Sequence, residues 1–80
     1  MQEIIIKRPY MHFKGKLYYV HDILIDSETE EKIVSYQQLY PPYEMYSRSL
    51  KMFKEEIDFN RKDNIMKQKH RFELFNGKII

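Results

Sequence analysis

Alternating apolar and polar positions dominate the chain, and the clearest β-strand pattern lies at residues 32–40. This stretch reads KIVSYQQLY, with β-branched and aromatic residues and no glycine or proline inside. A polar turn precedes it and Pro41-Pro42 follows it, so both of its ends are marked by turn residues. Its even and odd positions both carry apolar side chains. One face of the strand therefore packs on a core, and the other is either covered by another part of the chain or exposed as a surface that binds a partner.

A second extended run, residues 17–25, precedes this strand. Residues 26–31 between the two are polar and rich in acidic side chains, which favours a four- or five-residue hairpin loop. We therefore expect residues 17–25 to pair with residues 32–40 as an antiparallel hairpin, with residues 32–40 as a central strand.

The apolar positions of the run 17–25 change parity along its length. Tyr18 and Val20 occupy even positions, whereas the later candidates for the same core face, Ile23 and Ile25, occupy odd ones. One inserted residue in a strand turns all later side chains to the other face, so the change indicates a β-bulge or a bend at His21-Asp22. A bend of this kind curls a small sheet toward a barrel.

The remaining elements are shorter. Residues 50–53 have helical spacing with Ser49 placed to cap them, and we expect one tight 3-10-like turn. Residues 60–70 show no hydrophobic periodicity, which predicts a mobile excursion or a long loop. Asn76-Gly77 suits a hairpin turn, which leaves residues 78–80 as a strand or a frayed end. The other predicted strands are residues 2–6, stopped by Arg8-Pro9, and residues 10–13, 45–48, 55–59 and 71–75.

Five to six short antiparallel strands, with turns roughly every 8 to 12 residues, predict an all-β fold. We expect a small SH3-like barrel or roll, in one domain over residues 1–80. Barrel closure would remove the open edges that make a Tyr- and Ile-rich sheet prone to aggregation.

Composition and charge narrow the functional classes. The chain has no cysteine, which excludes disulfides and thiolate chemistry and is compatible with a reducing cytoplasm. Its apolar runs are far shorter than the roughly 20 residues of a membrane span, and the N-terminus lacks a leader pattern. We expect a cytoplasmic protein without a membrane partner. The net charge of +2 is too small to imply a polyanion, although basic residues crowd the last quarter.

An ordered set of residues resembles a known family. The chain resembles the bacterial family catalogued as domain of unknown function 1653, over a core of residues 10–59 with a basic extension at 60–80. That resemblance implies a compact SH3-like β-barrel and brings no known reaction. The chain departs from the family at Asp26, Tyr46 and Ser49, where His, Trp and Pro are usual. The residues that carry the resemblance are His12, Phe13, Lys14, Gly15, Tyr18, Val20, Ser27, Glu28, Thr29, Glu31, Val34, Tyr36, Leu39, Tyr40, Arg48, Leu50 and Phe53.

The first functional hypothesis is a non-enzymatic binding or interaction module. Seven tyrosines supply amphipathic side chains that suit either a core or a binding surface. Arg48 follows Tyr46 by two positions, so both project from one strand face, where the arginine either holds an anion or forms an internal ion pair. The candidate ligand or partner contacts are His12, Tyr36, Tyr40, Tyr43, Tyr46 and Arg48.

Two alternatives use other residues. Nucleic-acid binding would use the C-terminal basic segment, through Arg61, Lys62, Lys67, Lys69 and Arg71. A weaker alternative is an enzyme that uses His12 with a carboxylate, although no catalytic partner is evident in the sequence. No spacing of His, Asp and Glu suits a metal, and we expect no cofactor. The expected partner is a protein or a small ligand, and the oligomeric state stays open, a weak homodimer included.

Overall fold

The computed structural model describes residues 3–77, which form five strands and one short helix. All strand pairings are antiparallel, and the strands lie in one open sheet in the order β4-β3-β2-β1-β5. The all-β prediction is confirmed, and the single sheet is consistent with a small barrel or roll. The elements are β1 (Arg8–His12), β2 (Leu17–Ile25), β3 (Lys32–Gln38), β4 (Met45–Ser49), α1 (Leu50–Phe53) and β5 (Phe72–Leu74).

The predicted bulge lies in β2 at His21. The register with β3 shifts between Val20 and Asp22, which leaves His21 as the extra residue. Val20 is fully buried and Ile23 packs against the same core, so the shift keeps both on one face. The expectation that Ile25 shares this core is wrong. It pairs with the terminal residue of β3, beyond the core, and is 67% exposed.

Two stacked phenylalanine rings occupy the centre of the core. The Phe53 and Phe72 rings are nearly parallel, with centroids 4.1 Å apart. Tyr10 and Tyr36 meet Phe53 edge-on at 5.8 and 5.2 Å. Phe53 follows β4, whereas Phe72 begins β5 at the opposite edge of the sheet. The stack therefore draws the two edges toward each other, and the sheet rolls around it.

The predicted turn at residues 50–53 is present as a single helical turn, α1. The Met52 amide donates to the Ser49 side chain at 3.1 Å, so Ser49 is the N-cap. The turn is α-type rather than 3-10, because the Lys54 amide donates to the Leu50 carbonyl, four residues earlier. This turn directs Phe53 into the core.

The predicted strand at residues 2–6 is wrong for the residues that the structure describes, and Gln2 lies outside them. Residues 3–7 form no strand, and β1 begins at Arg8 and includes Pro9. Proline is accommodated because only its carbonyl is needed, as acceptor of the Phe75 amide at 3.0 Å.

The predicted strand at residues 55–59 is also wrong, since only an isolated bridge between Glu56 and His70 forms there. The Asp58 side chain accepts the Asn60 amide at 2.9 Å, and this local turn competes with extended pairing.

The predicted loop at residues 60–70 is a long loop tied down by two buried amides. Asn64 is 1% exposed and Gln68 is 6% exposed. The Asn64 side chain donates to the Gln68 carbonyl at 2.8 Å and accepts the Gln68 amide at 2.9 Å. Gln68 in turn donates to the Met11 carbonyl of β1 at 3.0 Å, so the loop is fastened to the sheet. The strand or frayed end expected at residues 78–80 lies outside the described residues.

Removing the Phe53 ring tests the stack. We expect Phe53→Ala to lower the free energy of unfolding by about 3–5 kcal/mol, because it leaves a cavity beside Phe72. Met52→Ala is the control: Met52 is on the same turn but 48% exposed, and its loss should be within about 0.5 kcal/mol. Urea unfolding measures both, with Phe53→Leu as a milder core variant. Equal losses for Phe53→Ala and Met52→Ala would contradict the central role of the stack.

Candidate binding site

Two side chains of the edge strand β4 project onto the inner face of the sheet, which we define as the face that carries the buried residues of each strand. Tyr46 lies opposite Tyr36, and Arg48 lies opposite Val34. Opposed residues of an antiparallel pair share a face, and both partners in β3 are buried. The Tyr36 and Tyr46 rings are 5.8 Å apart, and Arg48 Nε donates to the Tyr36 hydroxyl at 3.4 Å. Arg48 is half-buried and Tyr46 is 43% exposed.

Two tyrosine hydroxyls, one from β2 and one from the segment after β3, meet beside this pair. Tyr18 and Tyr40 share a hydrogen bond of 2.6 Å between their hydroxyl oxygens. Gln38 Nε2 donates to the Tyr40 hydroxyl at 3.2 Å, and the Tyr18 ring meets Tyr36 edge-on at 5.5 Å. Burial, and then the bond to Tyr40, raise the pKa of Tyr18, which stays neutral. The predicted residues Tyr36, Tyr40, Tyr46 and Arg48 thus come together, and Tyr18 and Gln38 join them as residues that the sequence did not assign to the site.

His12 lies at the end of β1 among aromatic rings. Its ring stacks on Phe13 at a centroid distance of 4.4 Å and meets Phe72 edge-on at 4.9 Å. Its Nδ1 accepts the Lys14 amide at 3.1 Å, so the neutral ring carries its proton on Nε2. The ring is half-buried and its orientation is set by these contacts.

Cations surround this histidine. Its pKa is lowered to about 4, first by burial and then by the positive charges of Arg71, Lys14, Arg48 and Arg61. No carboxylate of residues 3–77 bonds to or pairs with His12. The His12–carboxylate pair required by the enzyme hypothesis is therefore not formed in this part of the chain.

Arg48 is a half-buried arginine without a carboxylate partner in the described structure. By contrast, Arg61 binds Asp63 through two hydrogen bonds of 2.8 Å, and Arg71 binds Glu55. The internal ion pair considered for Arg48 from the sequence is not found among residues 3–77. The side-chain hydrogen bond that Arg48 does form in this part of the chain is the 3.4 Å bond to the Tyr36 hydroxyl.

The profile of a protein family matches residues 8–74 of this chain, and its description is Protein of unknown function (DUF1653). The chain belongs to the DUF1653 family. The match confirms the resemblance, and it extends past residue 59 to include the buried loop and β5. No curated protein and no solved structure is similar enough to add to that assignment.

Other predicted contacts lie outside the cluster. Tyr43 belongs to the loop before β4, is 54% exposed, and uses its carbonyl to accept Gln37 Nε2 at 3.0 Å. Among the five basic candidates, Arg61 and Arg71 are held by acidic side chains, whereas the three lysines are exposed. Those three are Lys62, Lys67 and Lys69.

Metal sites, membrane spans and clefts are the other kinds of site that bear on function in residues 3–77. No group of three or more His, Asp or Glu side chains there could hold a metal ion. No helix in that range is long and apolar enough to span a membrane. An open cleft of about 720 Å³ lies along α1, and none of its lining residues is Tyr18, Tyr36, Gln38, Tyr40, Tyr46 or Arg48.

The depressed pKa of His12 can be tested by charge removal. Lys14→Gln should raise this pKa above about 4, because it removes a cation that disfavours the imidazolium. Lys16→Gln in the same turn is the control and should leave it unchanged. Imidazole NMR titration measures both variants. An equal rise in the two would contradict a specific effect of Lys14.

The same shift makes stability depend on pH. The folded-state pKa of about 4 lies below the ordinary 6.5, so the unfolded state takes up the proton first as pH falls. The contribution of His12 to the free energy of unfolding is complete above about pH 6.5 and is lost progressively toward pH 4. We expect His12→Gln to flatten the pH dependence of unfolding in this window, measured by urea titration. An unchanged slope would contradict a neutral His12.

Proposed function

We propose that this protein is a non-catalytic binding module, which holds an anionic group of its partner at Arg48, beside Tyr36 and Tyr46. The observation that carries the proposal is the half-buried guanidinium with a tyrosine hydroxyl and no carboxylate beside it in residues 3–77. A guanidinium has five N–H donors, and one 3.4 Å bond leaves most of them for a ligand. Carboxylate and phosphate fit its planar fork bidentately.

The charges around the site favour an anion. Four cations lower the His12 pKa, and Arg48 is one of them. The other three, Arg71, Lys14 and Arg61, form ion pairs with Glu55 or Asp63, so Arg48 is the one left without a carboxylate among residues 3–77. A lone cation beside low-dielectric aromatic walls attracts and orients an oppositely charged group. The aromatic rings also exclude water, which strengthens a hydrogen bond to the guanidinium.

The tyrosines are fixed before a ligand arrives. Tyr18 and Tyr40 are hydrogen-bonded to each other. Gln38 fixes Tyr40 further, because its Nε2 donates to the Tyr40 hydroxyl and the Gln38 Oε1 accepts the Glu44 amide at 3.0 Å. Side chains that are already ordered lose little conformational entropy on binding. This preorganisation supports a binding role for the face.

His12 supports the non-catalytic character of the proposal. A general base needs a free lone pair and an orienting acid, whereas Nδ1 of His12 is occupied by the Lys14 amide and its charged neighbours are cations. The nucleic-acid alternative receives less support, because Arg61 and Arg71 already have acidic partners.

An NMR titration with phenylacetate, an aromatic carboxylate, tests the site. We expect saturable shifts at Tyr36, Tyr46 and Arg48 in the unmodified protein. Arg48→Gln should weaken binding at least about tenfold, because it removes a charge-assisted hydrogen bond. Arg48→Lys should fall between the two, since it keeps the charge and loses the fork.

Arg8→Gln is the matched control, because Arg8 is exposed and absent from the charges that act on His12. Its affinity should stay within about twofold of the unmodified protein. Equal loss in the Arg8 and Arg48 variants, or no saturable shift at all, would contradict the proposed site.

A further inference from the structure

The direction of the backbone hydrogen bonds in β3 determines which groups of β4 face outward. The Gln38 amide donates to the Glu44 carbonyl, and the Leu39 amide donates to the Leu17 carbonyl, both at 3.0 Å. In an antiparallel sheet successive residues of a strand bond to opposite neighbours. The even residues of β3 therefore bond to β4, and the odd residues bond to β2.

The same alternation applies along β4. Tyr46 and Arg48 lie opposite the even residues of β3, so their backbone groups point into the sheet. Met45 and Ser47 point their N–H and C=O groups away from it. No hydrogen bond within residues 3–77 uses these outward groups. The open edge of β4 is thus immediately beside two inner-face side chains, Tyr46 and Arg48.

The only charged side chain in β4 is Arg48, which lies on the inner face rather than along this edge. The strand has no proline, lysine or acidic residue, and its register with β3 runs from residue 45 to residue 49 without a bulge. The chain just before β5 is more enclosed, because residues 69–71 pair with residues 55–57 and Glu73 Oε2 accepts the amides of Lys69 and His70. Of the two edge strands, β4 is the one that has inner-face side chains suited to an anion.

We propose that the partner is an extended acidic segment of another protein, which adds to the sheet as a strand beside β4. This inference rests on the proposed anion site and names its ligand. Side chains of an added strand lie roughly 4.5–5.5 Å from their cross-strand neighbours, so an acidic side chain on the inner face reaches Arg48. Main-chain bonds to Met45 and Ser47 supply affinity, and Arg48 supplies selectivity for acid.

The charges favour this occupant over a second copy of the chain. Pairing β4 with β4 of another copy would add a second Arg48 to the inner face, and neither β4 has an acidic residue to offset it. An acidic segment instead neutralises Arg48, whose cationic neighbours already pair with Glu55 and Asp63.

Fluorescence anisotropy with a labelled, capped peptide of sequence Thr-Val-Glu-Val-Glu-Val-Thr tests the inference. Its glutamates share one face when it is extended. Ser47→Pro should weaken binding at least about tenfold, because proline removes the outward N–H and its ring blocks strand addition. Ser47→Ala should bind as the unmodified protein does, and both variants should bind phenylacetate normally. Arg48→Gln should lose both ligands.

Peptide variants keep the test independent of protein folding. If Ser47→Pro melts far below Ser47→Ala, the variant is not folded well enough to test binding. The unmodified protein is then titrated with a peptide N-methylated at alternate residues, which lacks the N–H donors of an added strand. That peptide should bind at least about tenfold more weakly than the unmethylated one. A peptide with Gln in place of Glu should lose about tenfold.

Several outcomes would overturn the inference. They are equal affinity for the N-methylated peptide, unchanged affinity of a folded Ser47→Pro, and self-association through β4 in sedimentation that competes with the peptide. Binding of phenylacetate without the peptide would overturn the added strand and leave the anion site standing. Failure of both ligands would overturn the proposed function itself.

Discussion

The stack of Phe53 on Phe72 is the contact on which the rest of the structure depends. The two residues come from opposite edges of an open five-stranded sheet, one after β4 and the other at the start of β5. Their rings meet 4.1 Å apart inside a core shared with Tyr10 and Tyr36, which requires the sheet to roll. The bulge at His21 serves the same geometry, since it lets both halves of β2 face that core.

The roll also creates the candidate site. Arg48 lies on β4 and His12 on β1, with two strands between them, yet the charge of Arg48 helps to lower the pKa of His12. Tyr36 belongs to both the core and the site, because it contacts Phe53 and accepts the hydrogen bond of Arg48. Among residues 3–77 the half-buried Arg48 has no acidic partner, which is costly, so an anion bound at the proposed site would stabilise the folded state.

Features set by neighbouring residues could be predicted from the sequence, and features set by distant contacts could not. The change of parity around His21 predicted the bulge, and Ser49 predicted the cap of the helical turn. Asn64 looks like an ordinary loop residue, because the groups that bury it are carbonyls and amides fixed only by the folded loop. The pattern of residues 55–59 suits a strand, but the turn at Asp58 limits the pairing to residues 55–57. That no acid of residues 3–77 pairs with Arg48 likewise follows from the folded sheet and not from the local sequence.

The central claim is that the sheet rolls but leaves the outer edge of β4 without hydrogen-bond partners. Amide hydrogen exchange along β4 in the free protein tests this claim most directly. An open edge predicts that the amides of Tyr46 and Arg48, which point to β3, are protected, whereas those of Met45 and Ser47 exchange at nearly the rate of an unfolded chain. Strong protection of Met45 and Ser47, equal to that of their neighbours, would show that this edge is already covered and would contradict the account.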